Sequence, residues 1–365
     1  MQKKIIVEYD YVRVITTILV ILGHCTYYSI KTNYGGIDLG IETSCFAGKA
    51  LTVLTTVIYS FHMPLFIALS GCLWAIKNKQ TLSFKDLLSS KSRRLLQPFL
   101  FTALFLSIPL KFISGYWGGE FSKETLSDII LGQLLFVGNA NSHLWFLQAL
   151  FLIFVVAYFI EKFNLRQCKT LFIIVLFIIS IVGRYMIFHG LNFLNFPYAM
   201  MYLIWFYSGT YFEMHREQIN SFTKRRLNKL SVMVVFIILQ VVLSYINSKL
   251  PHPITYFTYY VLAISGMLLT YVICYRLSLF RYRYINKSIR AISKYSYDLY
   301  LFSDPYNYIF IFILGLIPNY GMIFTDNALT LAIYLLRFLF TTFGALLIIK
   351  CFKDLPKHLR SSRIQ

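Results

Sequence analysis

Asp10-Tyr-Val-Arg13-Val-Ile-Thr-Thr-Ile-Leu-Val-Ile-Leu-Gly-His24 is an apolar run interrupted by one arginine and one histidine. At about 100° per residue, the step from Arg13 to His24 makes about three full turns with little left over, so on a helix both side chains share one face. The rise between them is about 16 Å, roughly half the hydrocarbon core of a bilayer. Ionisable groups inside a membrane are costly and mark function. The pair predicts a polar track running inward from one membrane face along the first spanning helix.

The rest of the chain has the same character. Mean hydropathy is +0.62. Hydrophobic residues make up 58% of the 365 and charged residues 14%, against about a quarter charged in a soluble globule. This composition predicts an all-α, polytopic membrane helix bundle. Ten spans near the required length are expected, at 11–30, 51–76, 95–114, 143–160, 170–188, 197–213, 230–247, 255–275, 296–316 and 328–349. Segment 125–137 is apolar but short and reads as an interfacial helix. The whole chain, 1–365, reads as one membrane domain. Lys3 and Lys4 precede the first apolar run and no small-residue cleavage pattern follows it, so this helix is expected to stay as a signal anchor.

The basic residues test this layout. With the N-terminus inside, 27 Lys and Arg fall on the inner side, 5 fall on the outer side, and Arg13, Arg184 and Arg337 lie within spans. That asymmetry follows the positive-inside rule and places both termini in the cytoplasm. It also accounts for the net charge of +20 through topology and contact with anionic lipid, with no nucleic-acid partner. The six cysteines are scattered, without a C-x-x-C pair, so neither a zinc site nor a disulfide framework is expected. No P-loop or G-x-G-x-x-G is present, which argues against an ATP-driven pump.

Further motifs carry polar groups in apolar surroundings. Asp10 lies one turn before Arg13 and can pair with it. Neutral imidazole suits proton transfer near pH 7, and with Arg13 on the same helix face a chemical role for His24 is favoured over a helix–helix hydrogen bond. Phe61-His62-Met-Pro64-Leu-Phe66-Ile-Ala-Leu-Ser70-Gly71 places His62 near the depth of His24, as a pocket residue or a packing residue. Pro64 should kink or break its helix, and Ser70-Gly71 permits close packing. Lys91-Ser-Arg93-Arg94-Leu-Leu-Gln97-Pro98 sits at a cytoplasmic entry. It can clamp phosphates or serve as an ordinary basic flank. His143-Leu-Trp145-Phe146 opens the fourth span. Ser296-Tyr297-Asp298-Leu-Tyr300-Leu-Phe-Ser303-Asp304-Pro305 puts two carboxylates into an apolar segment. Asp304 is a candidate partner for Arg13, Arg184 or Arg337, or a residue that shapes a pocket. Both of the latter arginines should face the protein interior.

Taken together, these residues resemble acyltransferase family 3, integral-membrane O-acyltransferases of bacterial glycans. The resemblance rests on Asp10-x-x-Arg13-x10-His24, Phe61-His62-Met-Pro64-Leu-Phe-x3-Ser70-Gly71, Lys91-x2-Arg94-Leu-Leu-x-Pro98, His143-Leu-Trp145-Phe146 and Ser296-x3-Tyr300-Leu, in the family's order. It implies transfer of an acyl group, usually acetyl from acetyl-CoA, to a sugar hydroxyl of a cell-surface polysaccharide or lipid-linked glycan in the bacterial plasma membrane. His24 matches the family's essential histidine and Arg13 its paired arginine. Lys91 and Arg94 match the basic pair, with Lys in place of the commoner Arg. Family members often carry His after Tyr-Leu-x, where this chain has Ser303 and then Asp304.

The reading that follows has His24 as general base, with Arg13, Lys91 and Arg94 on the donor's phosphates. His62, His143, Trp145 and Asp304 are candidates for the acceptor side, and no metal or permanently bound cofactor is involved. Two other classes remain: a polysaccharide exporter without acyl transfer, and a structural subunit of a glycan-synthesis complex. An exporter often shows internal repeats or paired broken helices, and no convincing repeat relates the two halves.

Overall fold

The computed structural model describes residues 6–32, 35–41, 44–76, 83–118, 121–138, 143–227, 230–279 and 283–354. In chain order the helices and strands are α1 (Val7–His24), β1 (Ser29–Thr32), β2 (Gly35–Asp38), α2 (Phe46–Ile76), α3 (Phe84–Ile113), α4 (Lys123–Ser127), α5 (Trp145–Lys162), α6 (Lys169–Phe188), α7 (Phe196–Met214), α8 (Arg216–Phe222), α9 (Leu230–Asn247), α10 (His252–Leu279), α11 (Arg283–Ser293), α12 (Ser296–Ser303), α13 (Pro305–Gly315) and α14 (Asn327–Asp354). Each of the ten expected spans lies at least in part on a helix.

Among the described residues, six helices are long and apolar enough to cross a membrane: Phe46–Ile76, Phe84–Ile113, Trp145–Lys162, Lys169–Phe188, Ile254–Leu279 and Asn327–Cys351. The chain is thus an all-α, multi-pass membrane bundle. The other four expected spans fall short for separate reasons. Glu8, Asp10 and Arg13 load α1 with charge. The tyrosine-rich α7 is less apolar, and the apolar part of α9, Ser231–Asn247, is shorter. The ninth expected span is two helices, α12 and α13, parted at Asp304 and Pro305.

The first expected span also needs correction. It ends at His24 rather than near residue 30. Thr26 Oγ1 donates to the Gly23 carbonyl at 2.7 Å and caps the last turn. The chain then leaves the helix for a two-stranded antiparallel hairpin, with Ile30 opposite Ile37. Gly35 supplies its φ of +146°, and a Cβ there would meet the Tyr116 carbonyl at 2.9 Å. Segment 125–137 is confirmed as short and separate from the spans: α4 runs on into a π-helical turn, Asp128–Leu134.

Prolines shape two of the long helices differently. Pro64 neither breaks nor interrupts α2, which is continuous through it. In α3 the hydrogen-bond ladder widens twice, to Gln97 N–H on the Ser92 carbonyl and to Ile108 N–H on the Ala103 carbonyl. Each wide turn directly precedes the turn that holds a proline, Pro98 or Pro109. Such π-turns make room for a ring that would clash with the preceding carbonyl.

The structure divides into two compact units. The first comprises residues 1–26, 46–77 and 205–300. Its core gathers Tyr9, Tyr11, Val12, Phe61, Leu65, Leu69, Cys72, Tyr271 and Cys274. Here α1 packs against α2, α10 and α11. The crossing of α2 with α7 is backbone against backbone. A Cβ at Gly71 would lie 1.9 Å from the Phe206 carbonyl, and one at Gly209 would lie 1.8 Å from the Ala68 carbonyl. Small residues at such crossings substitute for hydrophobic driving force inside a membrane.

The second unit comprises residues 27–45, 78–204 and 301–365. Tyr28, Phe310, Leu314 and Phe324 form one cluster, and Ile30, Tyr116, Tyr308 and Ile311 another. It also buries ionisable groups. Lys111 is fully buried, donates to Gln133 Oε1 at 2.6 Å and lies over the rings of Tyr116 and Tyr308. Asp128, in the π-helical turn after α4, accepts from Trp117 Nε1 at 2.6 Å and from Gln133 Nε2. Burial pushes its carboxyl above the usual carboxylate range, against the opposing pull of the Trp117 bond and the Lys111 charge.

Candidate active site

In the first unit, α1 carries Arg13 and His24 on one face, as the spacing requires. Arg13 is half-buried and is held at both ends of a small bridge. Its Nη1 lies 3.4 Å from Asp10 Oδ1 and donates to Ser293 Oγ at 2.8 Å. Ser293 Oγ in turn donates to Asp10 Oδ1 at 2.8 Å. The guanidinium is thus fixed against α11 by residues on two helices. Arg290, on α11, approaches Asp10 at 4.0 Å. Tyr11 reaches the same helix through Asn286 at 2.8 Å. Spacing alone pointed to Asp10, but Ser293 lies 280 residues further along the chain and only the fold delivers it.

His24 is the last residue of α1 and is half-buried. Its ring meets the ring of Tyr59 edge-on, centroids 6.3 Å apart. Tyr59 lies tilted against His62, centroids 5.1 Å apart. The structure therefore brings His24 and His62 to one aromatic side chain. Gly23 makes this possible, because a Cβ there would meet Tyr59 Cε1 at 3.0 Å. His62 is 5% exposed, and its Nδ1 lies 2.8 Å from the Ile58 carbonyl. A carbonyl only accepts, so Nδ1 is the protonated nitrogen and the lone pair sits on Nε2. Tyr59 was not singled out in the sequence. A tyrosine three residues before a histidine on a helix is a neighbour of it, and that was the signal available.

In the second unit, the basic motif straddles the first wide turn of α3. Lys91 is half-buried with its ammonium 3.1 Å from the centroid of the Phe154 ring, while Arg94 is exposed. Wide turns of this kind concentrate at functional sites.

His143 and Asp304 come together. His143 Nδ1 lies 3.0 Å from Asp304 Oδ2, and its Nε2 lies 3.1 Å from the Leu301 carbonyl. The second contact has a local cause. In a regular helix the Leu301 carbonyl takes the N–H of residue 305, and Pro305 has none. His143 supplies the missing donor at the point where α12 gives way to α13.

Asp304 also receives Tyr27 Oη at 3.3 Å and Asn307 Nδ2 at 3.2 Å. Arg337 is fully buried, donates from Nε to Asn307 Oδ1 at 2.7 Å, and donates from Nη1 to the Tyr27 carbonyl. It thus faces the interior, as expected. Arg184 is half-buried on α6. Trp145, half-buried, stacks on Tyr202 and lies tilted on Tyr198, centroids 5.3 and 4.4 Å away. Among the described residues no cluster of His, Cys, Asp or Glu has the make-up to hold a metal ion.

The first unit therefore presents two histidines and an anchored arginine, and the second a basic turn, a sealed His–Asp pair and an aromatic stack. A comparison with curated proteins and one with solved structures return no match. A family model described as an acyltransferase domain matches residues 6–350, nearly the whole length. The chain belongs to acyltransferase family 3.

Proposed function

We propose that this acyltransferase moves an acyl group, acetyl in the first instance, from acyl-CoA to a sugar hydroxyl of a cell-surface polysaccharide or lipid-linked glycan. We place it in the bacterial plasma membrane, with ten membrane-spanning segments and both termini cytoplasmic. The observation that carries the reading is His24 at the end of α1, in ring contact with Tyr59 and on the helix face that also bears the anchored Arg13.

In this reading His24 accepts the proton of the attacking hydroxyl. The hydroxyl oxygen bonds to the thioester carbonyl carbon. The carbon–sulfur bond breaks, the electron pair leaves with sulfur, and the proton passes on to give free CoA. Arg13, Lys91 and Arg94 are each proposed as cations for the donor's phosphates. Trp145 is proposed to meet the glycan. His143 and Asp304, sealed against solvent, contribute by holding the break between α12 and α13. Holding both substrates out of water supplies much of the rate.

The test is acetyl transfer from labelled acetyl-CoA in membranes carrying this chain and the host's glycans, with His24→Ala at equal expression. Alkali-labile label on glycan that vanishes in the variant supports the reading. Label in both removes His24 from the chemistry. No label in either, with chain-dependent passage of glycan across the membrane and no transfer from other acyl donors, supports an exporter instead.

A further inference from the structure

His62 has a chemistry that its burial alone does not explain. The Ile58 carbonyl holds its Nδ1 proton at 2.8 Å, which leaves Nε2 as an acceptor only. Among the described residues Nε2 takes no hydrogen bond from the chain, and it is not one of the enclosed polar atoms. A histidine beside Tyr59 with one nitrogen locked and the other left open is not a packing residue satisfied by its neighbours.

The turn that carries it is rigid. Ser60 Oγ donates to the Val57 carbonyl at 2.7 Å, and Gln240 Nε2 donates to Ser60 Oγ at 3.1 Å. Gln240 Nε2 also reaches the Leu262 carbonyl at 3.2 Å, and its Oε1 accepts from Ser265. Residues on α9 and α10 thus fix the turn from behind. The ring of His62 has little freedom to turn Nδ1 outward.

We propose that His62 Nε2 accepts a hydrogen bond from a hydroxyl of the acceptor, and so selects a neutral hydroxyl-bearing substrate for the chemistry assigned to His24. The inference rests on the acyl-transfer reading above. An acceptor-only nitrogen in a buried site rewards an O–H and rejects a group lacking one, because the lone pair then loses its partner. His62 keeps its proton throughout, and no bond to it forms or breaks.

The test uses full-length protein in membranes, labelled acetyl-CoA as donor, and a titrated extract of the host's lipid-linked glycans as acceptor probe. His62→Asn keeps an N–H near the Ile58 carbonyl but has nothing at the Nε2 position. His62→Gln places an amide oxygen near that position. The expected result is an acceptor KM raised about tenfold or more in His62→Asn. Donor KM stays within twofold, and His62→Gln recovers part of the loss. Unchanged acceptor kinetics in His62→Asn would overturn the inference and leave His62 as a packing residue hydrogen-bonded to its own helix. Equal losses in the two variants would also overturn it. If the unaltered chain transfers no acyl group, the acyl-transfer reading itself has failed, and that outcome is seen before any variant is compared.

Discussion

His143 Nε2 lies 3.1 Å from the carbonyl oxygen of Leu301, the carbonyl that Pro305, four residues on, cannot serve. A proline inside a helical run frees a backbone acceptor, and a buried site offers no water to satisfy it. Here a side chain from the start of the fourth expected span supplies the donor. The same ring lies 3.0 Å from Asp304 Oδ2 at its other nitrogen, so one histidine stands against both buried polar groups of the break.

That relationship makes a double-variant prediction. His143→Ala leaves the Leu301 carbonyl buried without its donor and should cost about 1–3 kcal/mol. Pro305→Ala restores an N–H four residues after Leu301. Thermal unfolding in detergent should show a smaller cost of His143→Ala in the Pro305→Ala background than alone. Identical costs in both backgrounds would mean that the carbonyl is not what His143 holds.

The crossing of α2 and α7 should tolerate no added carbon. Gly71→Ala and Gly209→Ala each drive a methyl into a backbone carbonyl of the facing helix. Backbone cannot step aside as a flexible side chain can. Overpacking costs about 1–3 kcal/mol where neighbours adjust, and more where they cannot. Both variants are expected to lower the unfolding midpoint sharply or to fail to accumulate in membranes. Gly321→Ala, with open space around its missing Cβ, is the matched control.

Ser293 tests how far Arg13 depends on being aimed. Ser293→Ala removes one hydrogen bond to the guanidinium and one to Asp10 while leaving the charges in place. A bond of this kind contributes about 0.5–1.5 kcal/mol, which amounts to about a 2- to 12-fold rise in donor KM. Acceptor KM should stay unchanged, and Ser293→Thr should recover the donor value. A shift confined to the acceptor would place Arg13 elsewhere in the reaction.

Asp128 gives a dependence on pH with a definite sign. Its carboxyl is raised, chiefly by burial. As pH rises, the unfolded chain releases this proton first, so this group favours folding below the usual carboxylate range. That part is lost as pH climbs through the folded value. The unfolding midpoint of the unaltered chain, relative to Asp128→Asn, should therefore fall as pH rises from about 3 to about 6. A difference that rises over the same window would contradict the assignment.

Much of the architecture was legible in the residues. Apolar runs of spanning length marked ten segments, and each lies at least in part on a helix, the structure in which a backbone satisfies itself locally. The shared face of Arg13 and His24 follows from helix geometry alone. The family motifs, read in order from Asp10 to Tyr300, pointed to the family that the match over residues 6–350 establishes.

What periodicity did not show was where helices stop and what polar groups meet. The end of α1 at His24 depends on the Thr26 cap and on the hairpin that follows, and both are invisible to a hydropathy window. Spacing left Asp304 open between an arginine partner and a place in a pocket, while the fold seats His143 on it, 161 positions away in sequence. Ser293 on Arg13 and Tyr59 between the two histidines are likewise products of packing. By itself the sequence determined the helices, their apolar faces and the family, since those depend on local spacing and composition. Only the tertiary structure decided which buried polar atom answers which, because each unsatisfied group in an apolar interior takes whichever donor or acceptor the packing brings within about 3 Å.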